Sequence, residues 1–427
     1  MLKDRYGNEL STTSVAARDA YQAGMDSLMA ATAGMELHFA RSVADDEGFA
    51  LAHISLARAK QLLGRGHEAK APLARARELA AGATAREQSQ IAIFEKILTG
   101  QAAAALEAIG EHMKSWPRDA MALAPATSVF GLIGFSGKVG RELDQLAVLE
   151  PFEKHYGDDW WYRTQLAFAQ IELGQFDKGG RNIDGALAAY PRSAHAAHIR
   201  GHLFYELGER EAGLAFLKEW MADYPRDGMM HCHNHWHLAL WSMETGRHDD
   251  AWRIYHDALR PGAAWGPQIN IATDCPAFLL RAEIAGQPRQ PDLWRELGDY
   301  ATKWFGRPGL SFVDLHSALT YAMAGDGEKL AALADNPRGA AGDMVPAAAR
   351  GFDAFARGDY KRAIGELEPL LDTHERFGGS RAQRDLLEYA VAASKLRAGS
   401  TDEARAFVER RRPKNGRVGG FPLHGLG

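Results

Sequence analysis

A chain of 427 residues is too long for one compact core, so two or three ordinary domains or a repeat array must account for it. Its 46% hydrophobic and 25% charged content argues against disorder. A formal charge of −5, with both signs interspersed, leaves no basic block for a phosphate backbone, so nucleic acid is not an expected partner.

The N-terminal segment MLKDRYGNELSTTS has no apolar stretch of signal-peptide length, and later uncharged runs are short and Ala-rich. Neither secretion nor a membrane span is expected. The two cysteines, Cys232 and Cys275, cannot build a disulfide framework, which fits a reducing cytoplasm. Ala and Leu are abundant and β-branched runs scarce, which favours helix over strand.

From there on one helix–turn–helix sentence recurs. A helix-like run ends in a small residue or Leu and then Gly, a few polar residues follow, and a second run opens with Ala. Clear copies are QLLGRGHEAKAPLARARELA, IELGQFDKGGRNIDGALAAYP, YELGEREAGLAFLKEWMADYP, METGRHDDAWRIYHDALRP and FARGDYKRAIGELEPLL. The punctuating glycines are Gly64, Gly100, Gly137, Gly174, Gly208, Gly246, Gly286, Gly325, Gly358 and Gly399, spaced 33 to 41 residues apart. A tetratricopeptide unit is ~34 residues long, with Leu-Gly closing its first helix, Ala in its second and Pro after it. Gly supplies the left-handed conformation and the missing Cβ that such a turn needs. Pro117, Pro191, Pro225, Pro261 and Pro413 stop a helix or set the next one. The spacing predicts an all-α, tetratricopeptide-like solenoid of about ten helix pairs forming a curved superhelix. It divides into N-terminal repeats (1–130), central repeats (131–290) and C-terminal repeats (291–427).

Two segments fit least well. GLIGFSGKVG, residues 131–140, superficially suggests a phosphate loop, but Val139 stands after Lys138 where Ser or Thr is needed for magnesium. A turn between the two helices of a unit is the expected reading. Residues 261–275 form the second segment, where Trp265, Pro267 and Asn270 break the helical pattern.

The central units are rich in histidine. His195, His198 and His202 are three and four residues apart and share a helix face, as do His233 and His237, whereas His235 points away. His316, Asp274 and Asp314 fall at comparable distances before their own glycines, in the first helices of their units. First helices line the concave face of a tetratricopeptide array, so these side chains are expected to stack across the groove. Three readings stand: hydrogen-bonded packing residues, a pocket for a small polar ligand, or chemistry. Chemistry means a His–carboxylate base or a divalent metal held by His198, His202, His233 and His237. No HExxH, paired CxxC or GxSxG sequence is present. Trp236, among the histidines, can wall a pocket, while the other tryptophans read as packing.

The runs CHNHWHLALW, HIRGHLFYELG, DLHSALTYAMAG and GGSRAQRD, with STTSVAARDAYQAGMDSL near the N-terminus, resemble the tetratricopeptide repeat protein 38 family over nearly the whole chain. The positions that match its pattern are His198, His202, His233, Asn234, Trp236, His237, Asp274, Asp314, His316, Gly379, Ser380, Gln383, Arg384 and Asp385. His235 replaces the tyrosine such a pattern carries. The resemblance implies a fold and no reaction. Ser380 with Gln383 reads as a capping box opening the last unit, with Asp385 in its first turn, and Arg384 as a residue left open that could reach into the groove as an anion clamp.

The expected function is recognition of a small polar molecule or peptide by His198, His202, His233, Trp236, His237, Asp274, Asp314, His316 and Arg384. If catalysis occurs, His233 or His237 is the candidate base, oriented by Asp274 or Asp314. An adaptor without chemistry and a metal-dependent enzyme are the competing classes; oligomeric state is not legible.

Overall fold

All ten glycines of the ladder have positive φ, from 71° at Gly137 to 88° at Gly286. In nine of them the glycine follows a first helix and the next residue's N–H returns to a carbonyl of that helix's last turn. At Gly174, for instance, Gly174 N–H donates to Ile171 O at 2.9 Å and Gln175 N–H to Gln170 O at 2.8 Å. This double return is the closure that only a left-handed residue allows.

The computed structural model describes residues 1–411; Pro413 lies outside the described residues. The described chain forms two compact units, each drawn from separate stretches of sequence. Unit 1 comprises Met1–Ile133, Leu143–Ile199 and Pro225–Met230; unit 2 takes Gly134–Glu142, Arg200–Tyr224 and the chain from His231 onward.

Unit 1 opens with a feature absent from the all-helical expectation, a hairpin of β1 (Leu2–Lys3) and β2 (Glu9–Leu10) in antiparallel register Leu2 to Leu10. Asp4 Oδ1 organises its turn by accepting the N–H groups of Tyr6 and Asn8, both at 2.9 Å. Helix pairs follow: α1 (Val15–Ala30) with α2 (Met35–Asp45), α3 (Ala50–Leu62) with α4 (Lys70–Leu79), and α5 (Ala85–Leu98) with α6 (Ala102–Ser115). The first pair lacks a ladder glycine because Ala31 itself takes φ 54°. A one-turn α7 (Ala120–Leu123), α8 (Arg141–Leu149), a one-turn α9 (Glu153–Tyr156) and the pair α10 (Trp160–Glu172) and α11 (Phe176–Ala189) come next. Helix α12 (Ala194–Leu207) passes from one unit into the other, as α8 does.

Unit 2 continues with α13 (Arg210–Met221), α14 (His231–Glu244) and α15 (His248–Ile254), whose end widens into a π turn over Tyr255–Leu259. Then come α16 (Gln268–Ile284) with α17 (Pro291–Phe305), α18 (Ser311–Ala324) with α19 (Gly327–Asp335), α20 (Val345–Ala356) with α21 (Tyr360–Leu367), and α22 (Arg381–Arg397) with α23 (Thr401–Arg411). First helices α14, α16, α18 and α22 are buried on nearly every side, whereas α17 buries one stripe of Leu293, Trp294, Leu297 and Ala301. The fold is thus a tetratricopeptide-like array of helix pairs.

Two local expectations are corrected. No full helix precedes Gly137: α7 ends after four residues at Leu123, a 3-10 turn spans Ala124–Ala126, and turns occupy residues 127–140. Gly137 is needed there for close approach, since a Cβ would sit 2.5 Å from that of Ala340. The irregularity at 261–275 is shorter than the sequence suggests. Helix α16 starts at Gln268 after Pro267 and runs through Pro276, so Asn270, Asp274 and Cys275 are helical. The preceding loop caps α14, with Trp265 O accepting Cys232 N–H at 3.2 Å.

Candidate functional site

The repeat array requires each helix to contact only its neighbours, yet in unit 2 the last first-helix, α22, packs directly on α16. That contact covers a buried polar layer assembled from α12, α14, α16, α18 and α22. Its centre is three imidazoles. His202 from α12 and His233 and His237 from α14 are all buried, and one ligand-capable atom from each lies within 4.8 Å of the others. Helical spacing brings His233 and His237 to one face, with ring centroids 5.1 Å apart. Packing brings the His202 ring 5.0 Å from that of His237. His198 lies one turn earlier on α12, on the same helix face as His202.

Asp274 of α16 holds His233, Nδ1 to Oδ2 at 2.7 Å. An ionised Asp274 makes Nδ1 the protonated nitrogen, so the lone pair sits on Nε2. Gln383 braces the carboxylate from the far side, Nε2 donating to Asp274 Oδ1 at 3.3 Å. The same Gln383 closes the expected capping box: Ser380 Oγ accepts Gln383 N–H at 3.4 Å, and Gln383 Oε1 accepts Ser380 N–H at 3.1 Å. Capping and site support are therefore one residue's two ends.

Burial, then the neighbouring His202, His233 and Arg281, push His237 well below the ordinary imidazole range. The Trp236 ring stacks on that of His233 with centroids 5.3 Å apart, and Trp241 lies against His237 at 5.7 Å. His235 is half-buried and turned away, Nδ1 bonding His231 O at 2.8 Å, as its spacing requires.

The remaining expected site residues are placed differently. Asp314 accepts Gly309 N–H at 3.1 Å, and burial pushes its carboxyl up to about 6. His316 donates Nδ1–H to Phe312 O at 2.8 Å, and burial, with Arg281 adding to it, pushes it down to about 4. Arg384 reaches Glu142 at 3.1 Å and Gly379 O at 2.5 Å, so its charge is spent on a carboxylate that buried Arg141 also pairs at 3.0 Å. Asp385 accepts the Tyr205 hydroxyl at 2.7 Å. His195 bonds Gln165 at 3.3 Å in unit 1.

Sequence reasoning passed over Arg281, in the α16 run AFLLRAEIAG. It is fully buried, its guanidinium lying over the Trp236 ring at 5.4 Å and the Tyr389 ring at 4.7 Å. An arginine directly after the apolar run AFLL was the available signal. Both cysteines are buried and reduced.

No family model matches the chain. It is similar in structure to human IFIT1 solved with m7Gppp-AAAA, at TM-score 0.43 and 13% identity over 96% of this chain and 97% of that one. Human IFIT1 with PPP-AAAA gives 0.45 and 15% over 96% of each chain. The P58(IPK) TPR domain gives 0.23 and 14% over 92% and 99%. These likenesses concern the helical repeat architecture. One expectation is corrected beside them, the exclusion of nucleic acid from the missing basic run: the human IFIT1 structures were solved with m7Gppp-AAAA and PPP-AAAA. The physical reason is that a phosphate-facing surface assembles from cations far apart in sequence, which a scan for linear basic runs does not register. No described helix is long and apolar enough to cross a membrane.

Proposed function

We propose that this chain is a tetratricopeptide-like repeat protein that binds a divalent transition-metal ion of the zinc class on His202, His233 and His237, and acts on a small polar ligand there. The observation that carries this reading is the convergence of three buried imidazoles, with ligand-capable atoms within 4.8 Å, one of them held by a carboxylate at 2.7 Å. Imidazole donors suit zinc, copper, iron or nickel and not the oxygen-seeking magnesium or calcium. A His–carboxylate pair is the usual support of a metal-bound imidazole, because it sets the tautomer and the ring orientation. Three imidazoles would leave one position of a tetrahedral ion for a ligand.

The resemblance to the tetratricopeptide repeat protein 38 family supports the same residues, since His202, His233, Asn234, Trp236, His237 and Asp274 all belong to the matching pattern. The polar-ligand reading and the metal reading then describe one site, with the ion as the ligand's contact.

Elemental analysis of purified protein after dialysis against buffered zinc tests the proposal. Stoichiometric zinc is expected in the wild type and none in a His233→Ala/His237→Ala variant of unchanged helicity. Asp274→Asn should weaken zinc about 10- to 100-fold while keeping the three imidazoles. Wild-type protein that stays free of zinc, cobalt and nickel under saturating conditions defeats the reading.

A further inference from the structure

Arg281 is 1% exposed and makes no ion pair among the described residues. Its Nη2 donates to Ala382 O at 2.6 Å, but Nε and Nη1 are buried with no hydrogen-bond partner. A buried guanidinium left without a carboxylate is costly, and retention of one calls for a counter-charge. Three acidic groups of the same layer bond other residues. Asp274 holds His233 and Gln383, Asp385 takes the Tyr205 hydroxyl, and Glu388 pairs Arg411 at 2.7 Å. Trp236 and Tyr389 lie over the guanidinium, and its Nε and Nη1 edge carries no hydrogen bond. The Trp236 ring that the guanidinium covers stacks in turn on His233, with centroids 5.3 Å apart, so Arg281 lies one ring away from the imidazole group.

We infer that Arg281 anchors a small oxyanion, a carboxylate or phosphate group, that lies beside the imidazole centre. The inference deepens the metal reading and rests on it only for the ligand's second contact. An oxyanion accepting from Nε and Nη1 neutralises the buried charge, and a second oxygen of the same molecule faces the ion. The substrate class is thereby narrowed from any polar molecule to a small acid or phosphate ester. Trp236 contributes by fixing the guanidinium plane and by stacking on His233 at once.

Calorimetric titration with inorganic phosphate and, separately, with acetate tests this on metal-free and zinc-loaded full-length protein. Saturable binding of one anion by the wild type is expected, weakened about 10- to 100-fold in Arg281→Gln with zinc content unchanged. The anion that binds distinguishes phosphate from carboxylate. Arg281→Lys, which keeps the charge inside the fold, covers the case of an unfolded glutamine variant and should bind more weakly than the wild type. Equal affinity in wild type and a folded Arg281 variant, or no binding of either anion by the wild type, overturns the inference. Zinc bound without anion binding sinks the inference and leaves the metal reading standing. Anion binding through Arg281 in protein that takes no zinc does the reverse.

Discussion

The Arg86–Asp119 pair shows how much a single buried charge matters in this molecule. Asp119 accepts Arg86 Nη1 at 2.5 Å and His112 Nε2 at 3.1 Å, and also caps α7 through Ala122 N–H at 3.1 Å. Burial would raise its carboxyl, but Arg86 and His112 outweigh that and hold it below the ordinary value. Asp119→Ala strands a buried guanidinium and is expected to cost about 3–5 kcal/mol, read from urea unfolding. Asp314 behaves oppositely. With its folded value near 6 against an ordinary 3.8, the carboxyl favours folding below about pH 4 and loses that contribution as pH rises to 6. Asp314→Asn should therefore gain on the order of 1–3 kcal/mol relative to wild type between pH 4 and pH 7.5, and equal differences at both pH values would contradict it.

At the scale of the element, the helix turns explain both the regularity of the repeat and its exceptions. Gly246 has φ 76° and open space where a Cβ would sit, so Gly246→Ala should cost only the left-handed conformation, about 1–2 kcal/mol. Gly137 has φ 71° and also faces Ala340, so Gly137→Ala must displace backbone and should cost more. A thermal scan of the two variants separates conformational from steric demand. The ladder was legible in sequence because turn chemistry is local. The α1–α2 turn was not, because Ala31 accepts a conformation that composition assigns to glycine.

For the molecule as a whole, the two units interleave in sequence, each built from separate stretches. The imidazoles of the proposed centre sit in unit 2 with Trp236 and Trp241 against them. Zinc at about a hundredfold its Kd should stabilise the protein by ~2.7 kcal/mol. Hydrogen exchange should then slow across α12, α14 and α16 and stay unchanged across α3 to α6. Uniform protection, or none, would argue against a site confined to those helices.

By itself the sequence determined the helical repeat, the shared face of His233 and His237, and the capping box at Ser380 and Gln383, since each follows from spacings within one turn or one helix. Only the tertiary structure decided that Asp274 meets His233, that Arg384 meets Glu142, and that Arg281 is enclosed by Trp236 and Tyr389. The first and the Trp236 cover need α14 beside α16, and the Tyr389 cover needs α22 packed across α16, a contact between helices about a hundred residues apart that no local period encodes.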